Sequence, residues 1–127
     1  IVSNPPYFID ALKCPDEQRC TARHAGNLNY DLLFHRSASL LEEQGVVSII
    51  IPAEAEKTVV DTAWNHKLFP LHRVQVFTKP GKPCRRVLLN FGFEAKECRE
   101  EKLCIEVNHN EFTPEYVALT KDFYLKM

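Results

Sequence analysis

Six residues constrain this chain more than any others: Val46-Val47-Ser48-Ile49-Ile50-Ile51. The run is almost wholly apolar and mostly β-branched, which favours extended backbone over helix. A strand with one wet face alternates apolar and polar residues. A run without that alternation predicts a strand covered on both faces, as in a parallel sheet. Gly45 and Pro52 bound it, and helical periods lie on either side. From about Leu28 to Gln44 the residues Tyr30, Leu33, Phe34, Leu40 and Leu41 recur at helical spacing, with Ser37 on their face. Gly45 stands where a helix end favours a residue tolerant of positive φ. A second helix is expected from about Glu54 to His66, with Glu54 and Glu56 at its positive end and Val59, Val60, Ala63 and Trp64 facing inward.

The rest of the chain extends this alternation. Ile1–Ser3 reads as the end of a strand, and Asn4 to Gly26 as a long loop carrying Pro5, Pro6 and Pro15. Phe69–Thr78 and Arg86–Phe93 read as antiparallel strands joined by the turn Lys79-Pro80-Gly81-Lys82-Pro83. Leu103, Ile105 and Val107 alternate with polar neighbours, as in a short half-exposed strand. Thr113-Pro114-Glu115 starts a last helix, with Thr as its cap and Pro at the first helical position. Val117, Thr120, Phe123 and Tyr124 fall near one face of that helix. Strands that alternate with helices and close in a hairpin predict a single α/β domain over 1–127, built on a mixed sheet with an antiparallel edge hairpin. Ligands of such sheets sit beyond the carboxyl ends of the parallel strands. Asn4 falls at such an end.

Charge and composition narrow what could bind there. The formal net charge is −1, so the chain has no global basic field, and nucleic acid could be held only by local patches. Lys79, Lys82, Arg85 and Arg86 crowd the expected hairpin and form one such patch, unless they are simply solvated. No apolar run approaches the roughly 18 residues of a membrane-spanning helix. The five cysteines include no C-x-x-C pair and are expected to be free thiols in a reducing cytoplasm. The five histidines show no ligand spacing, so no metal site is expected.

Asn4-Pro5-Pro6-Tyr7 is the stretch that carries chemistry. A planar amino group, on an adenine ring or a glutamine amide, is a poor nucleophile because its lone pair is delocalised. The Asn4 side-chain oxygen and the Pro5 carbonyl can each accept one of its N–H bonds, which holds the nitrogen and aims its lone pair at an electrophile. Prolines stiffen the turn and leave their carbonyls free of local N–H partners. Tyr7 offers a flat face on which a base can stack, at about 1–3 kcal/mol per base. The plain alternative is a strand stop, with Asn starting a turn, the prolines ending the ladder and Tyr packing.

IVSNPPYF resembles motif IV of the amino-directed class I methyltransferases, Asn/Asp-Pro-Pro-Tyr/Phe/Trp. Three further stretches are similar to the bacterial valine-tRNA adenine-N6 methyltransferase family: Gln18-Arg19-Cys20-Thr21-Ala22-Arg23-His24, Pro83-Cys84-Arg85-Arg86-Val87-Leu88-Leu89-Asn90-Phe91, and the ending Tyr116 to Leu125. The resemblance implies the C-terminal half of a Rossmann-like class I methyltransferase fold. It implies S-adenosylmethionine as cofactor, tRNA as partner, and a catalytic set of Asn4, Pro5, Pro6 and Tyr7, with Asn4 also touching the cofactor. Phe8, Arg19, Arg23 and His24 would then meet the substrate.

The glycine-rich turn of such enzymes is missing, for the four glycines Gly26, Gly45, Gly81 and Gly92 stand far apart. The chain is therefore expected to be a piece of a longer enzyme, inactive by itself. Ile1–Ser3 would then be an open strand edge, expected to fray or to pair with a second copy. Two rival readings remain: a glutamine-amide methyltransferase acting on protein, and a non-catalytic module that binds RNA or protein.

Overall fold

The computed structural model describes residues 1–5 and 29–124. Along the chain run β1 (Val2–Ser3), α1 (Tyr30–Leu40), β2 (Val47–Pro52), a 3-10 turn (Ala53–Ala55), α2 (Glu56–Asn65), β3 (Phe69–Phe77), β4 (Arg86–Gly92), β5 (Arg99–Cys104), β6 (Glu106–Asn108), β7 (Glu111–Phe112) and α3 (Pro114–Thr120). Five strands make one sheet in the order β1-β2-β4-β3-β5, and β6 pairs with β7 apart from it. β1 is parallel to β2 and β3 to β5, while β4 opposes both its neighbours. The β3–β4 hairpin is thus present, and β5 adds a further parallel strand outside it.

The core lies on one face of this sheet. The register sets Val47 opposite Phe91, Ile49 opposite Leu89 and Ile51 opposite Val87, and all six are buried. On this row α1 places Phe34, whose ring meets Phe91 edge-on with centroids 5.1 Å apart. α2 adds Val59 and Ala63, and Leu68 closes the end of the cluster. Asn29 caps α1 through its side-chain oxygen, which accepts from the Leu32 amide at 2.7 Å.

Several sequence expectations need correcting. β2 is not evenly covered: Val47, Ile49 and Ile51 are buried, whereas Ser48 and Ile50 are only half-buried. α1 ends at Leu40, because Leu41 turns extended at φ −72° and ψ 135°. Leu40 is consequently 77% exposed, and Leu41 is the residue that packs. Gly45 does not take positive φ, and among the described glycines Gly81 does. Gly45 is needed for space instead, since a Cβ there would stand 2.6 Å from Leu41 Cδ1. Trp64 does not face inward. It is 54% exposed and covers Phe69 edge-on at 4.7 Å. The strand expected around 103–107 divides at Ile105, with β5 before it and β6 after. α3 buries no residue, and Phe123 beyond it is 85% exposed.

Candidate functional site

β1, β2, β3 and β5 all end on the same side of the sheet, and β4 begins there. Asn4 follows β1 at that edge. β1 is held in place by the Ser48 amide, which donates to the Ile1 carbonyl at 2.7 Å, and by the Ile1 ammonium, which donates to the Val46 carbonyl at 2.9 Å. Asn4 is exposed and Pro5 is buried. One residue is thus anchored by packing while its neighbour stands exposed at that edge. Pro6, Tyr7, Phe8, Arg19, Arg23 and His24 lie outside the described residues.

Basic side chains gather on the same edge. The Ala53 amide donates to the Arg85 carbonyl at 2.9 Å, which pins the start of β4 against the end of β2 and brings Arg85 and Arg86 there. Lys79 follows the end of β3, half-buried and 3.7 Å from Glu106. Lys82 is exposed in the turn. Lys102 escaped the sequence reading. It joins this group only because β5 pairs with β3, setting Lys102 opposite Gln75.

The described histidines and cysteines serve other ends. His66 Nε2 lies 2.8 Å from Asp31 Oδ1 and links α2 to α1, and His72 Nε2 lies 2.9 Å from Glu101 Oε2 and links β3 to β5. The His72 hydrogen bond holds the Glu101 carboxyl below its usual range, with Arg99 adding to the effect. Cys84, Cys98 and Cys104 are free thiols, and Cys14 and Cys20 lie outside the described residues. Burial and then the Glu100 carboxylate push the Cys98 thiol up. Among the described residues no group of three or more His, Cys, Asp or Glu could hold a metal ion. None of their helices is long and apolar enough to cross a membrane.

No family model matches the chain. Over all its 127 residues it is 47% identical to the tRNA1(Val) (adenine(37)-N6)-methyltransferase of Bacteroides fragilis, covering 54% of that protein. It is 40% identical to the protein of that name from Bacteroides thetaiotaomicron, again covering 54%. With the Yersinia enterocolitica counterpart it shares 36% over 125 residues, which is 98% of this chain and 50% of that protein. The chain is homologous to these methyltransferases and spans about half their length. In structure it resembles a predicted O-methyltransferase from Agrobacterium tumefaciens, with a TM-score of 0.62 and 14% identity over 72% of this chain and 45% of that one. At that identity the likeness concerns the fold alone, a mixed α/β sheet shared with part of a methyltransferase.

Proposed function

We propose that this chain supplies the amine-seating part of an enzyme that methylates the N6 amino group of an adenine in a tRNA anticodon loop. The observation that carries the reading is Asn4 exposed and Pro5 buried at the carboxyl end of a parallel strand, in a chain homologous to tRNA adenine-N6 methyltransferases. Asn4 Oδ1 and the Pro5 carbonyl accept the two N–H bonds of the adenine amine and fix its nitrogen. Proline has no N–H of its own, so Pro5 and Pro6 add no competing donor. Tyr7 stacks the base, with Phe8 extending that surface. Arg19, Arg23 and His24 meet the RNA around it. No general base is required, because the amine proton becomes acidic only after methylation and then leaves to water. An adenine in a loop is already partly unstacked, so seating it costs less than flipping it from a duplex.

S-adenosylmethionine is the methyl donor this reading implies, with Asn4 touching it, and the described residues offer no backbone cradle for the rest of it. A cradle of backbone amides needs a turn in unusual conformation. Among the described residues positive φ occurs only at Lys67, Gly81 and Asn110, none of them beside Asn4. The main part of the donor's site therefore falls to protein outside the described residues, and the reading assigns this chain one part of the activity. The comparisons lend no support to self-association at Ile1–Ser3, and the reading does without it.

The test is a chimaera in which residues 1–127 replace the matching segment of the Bacteroides fragilis relative. It should methylate an anticodon stem-loop RNA. Asn4→Ala should lower kcat about 100-fold, the scale for losing one positioning contact to a reacting group. Asn4→Asp should retain part of the rate, because a carboxylate also accepts. Full activity in Asn4→Ala would sink the reading. Preferred methylation of a glutamine peptide would move it to protein amides, and RNA binding without methylation would leave a non-catalytic module.

A further inference from the structure

A groove of about 850 Å³ opens at the hairpin end of the sheet, between the β3–β4 turn, the end of β5 and α3. Phe77, Pro80 and Pro83 give it apolar walls, and three lysines line it: Lys79, Lys82 and Lys102. The only carboxylate in the lining is that of Glu115. The volume is large enough for a nucleotide-sized group.

The lysines come from two separate segments, Lys79 and Lys82 from the β3–β4 turn and Lys102 from β5, and are held there by the fold. The Lys82 amide donates to the Lys79 carbonyl at 3.2 Å, and Gly81 at φ 80° closes the turn between them. Lys102 is carried in by the parallel pairing of β5 with β3. Lys57 and Lys96, elsewhere on the surface, sit at 3.2 Å from Asp61 and 2.9 Å from Glu94. In the groove Lys79 sits 3.7 Å from Glu106, whereas Lys82 and Lys102 make no ion pair among the described residues. Bringing like charges together opposes folding, in a chain whose net charge is −1. The concentration of positive charge therefore calls for an anion.

The same strand ends place this groove relative to Asn4. In the order β1-β2-β4-β3-β5, β3 lies three strand spacings and β5 four spacings from β1. At about 4.8 Å per spacing that is roughly 14 to 19 Å along one edge of the sheet. The start of β4, with Arg85 and Arg86, lies between. A single nucleic-acid strand seated at Asn4 would cross that interval in a few nucleotides.

We infer that the Lys79–Lys82–Lys102 groove holds backbone phosphate of the RNA strand that continues from the seated adenine. This rests on the tRNA reading above. It adds a second contact remote from the amine, one that positions the strand without reading its bases. Proline and phenylalanine walls suit the sugar and base edges between phosphates, and the lysines suit the phosphates as mobile point charges.

The measurement is fluorescence anisotropy of a labelled anticodon stem-loop RNA with the 127-residue chain, across about 50 to 200 mM salt. A double variant, Lys82→Gln with Lys102→Gln, should bind about tenfold more weakly at the low-salt end. Its slope of log affinity on log salt should be shallower by about 1.4, since each single-strand phosphate contact contributes about 0.7. Lys82→Arg with Lys102→Arg should keep the wild-type slope, and so should Lys57→Gln. Matching circular dichroism melts would exclude misfolding as the cause. An unchanged slope in the glutamine variant, or no binding of the RNA by the chain, overturns the inference. Competition by poly-glutamate as effective as by unlabelled RNA also overturns it, in favour of an acidic peptide. Asn4→Ala leaves the slope untouched and acts on methylation alone, so failure of the groove and failure of the amine seat give different results.

Discussion

Arg73 of β3 grips Glu56 of α2 with two nitrogens: Nη2 donates to Oε1 at 2.8 Å, and Nε donates to Oε2. Both side chains are about three-quarters withdrawn from water, at 24% and 23% exposure. Planar fork meets planar carboxylate, which is the strong form of the ion pair. The guanidinium is held protonated above its ordinary range, first by the hydrogen bond it donates to Glu56. Glu56→Ala leaves Arg73 with Glu100 alone, 3.7 Å away and 69% exposed. The expected cost is about 1–3 kcal/mol. It should be read as a lower urea midpoint with an unchanged m-value. Replacing both residues with leucine should cost less than the sum of the single changes, because no charge is then stranded.

That pair also shows why part of the sheet escapes a reading of the sequence. Arg99-Glu100-Glu101-Lys102 has no apolar alternation and looks like loop. In three dimensions it is an edge strand whose acidic residues meet partners on β3, Glu100 with Arg73 and Glu101 with His72. Charge on an edge strand discourages pairing with other chains, and it erases the period by which strands are recognised. β2 and both long helices are legible for the opposite reason, since their apolar patterns are long and dense. Pro114 behind Thr113 marks the start of α3 to the residue. Trp64 misleads because one step along a helix is a rotation of about 100°. It follows Ala63 on the buried stripe and lands at the rim over Phe69. Asn4 is legible as a strand-end residue from local sequence, whereas the place of Lys102 depends on a strand pairing that no local pattern announces.

Gly45 should resist substitution for a steric reason. A Cβ at this position would meet Leu41 Cδ1 at 2.6 Å and Cγ at 2.7 Å, with the Glu42 carbonyl at 3.1 Å behind them. Leu41 packs against the core and cannot swing away freely. Gly45→Ala should cost about 1–3 kcal/mol, the range for overpacking. Gly92→Ala should cost less, because its one close neighbour under 3 Å is Leu71 Cδ1, at 2.8 Å, the far end of a flexible side chain. Thermal melts of the two variants should rank them in that order.

Glu101 gives the fold an acid-sensitive link. Its carboxyl lies below its ordinary 4.5, first through the hydrogen bond with His72 and then through the charge of Arg99. A folded-state value below the unfolded one means stability that is complete above the unfolded value and lost as pH falls through the folded value. The window therefore lies on the acid side of that ordinary value. Carbon-13 NMR titration of the Glu101 carboxyl should show its midpoint rising in His72→Ala. A midpoint unmoved by that change would mean the His72 contact does not hold the carboxylate in solution.

Thr113 joins α3 to the end of β5 through one hydroxyl. Its Oγ1 accepts from the Tyr116 amide at 3.2 Å and donates to the Cys104 carbonyl at 2.5 Å. Thr113 is 7% exposed, so neither bond is readily replaced by water. α3 has seven residues and buries none of them, far too little for a helix to persist by itself. Its attachment therefore depends heavily on this cap. Thr113→Ala should cost about 1–2 kcal/mol, and Thr113→Ser should recover most of it because the hydroxyl remains. The sharper readout is local. The Val117 amide, which donates to the Thr113 carbonyl at 3.0 Å, should exchange with solvent about tenfold faster or more in Thr113→Ala, following the local loss of about 1.4 kcal/mol per decade. Core amides of β2 and β4 should exchange at nearly their original rates. Equal acceleration in both regions would show instead that α3 unfolds only with the whole domain.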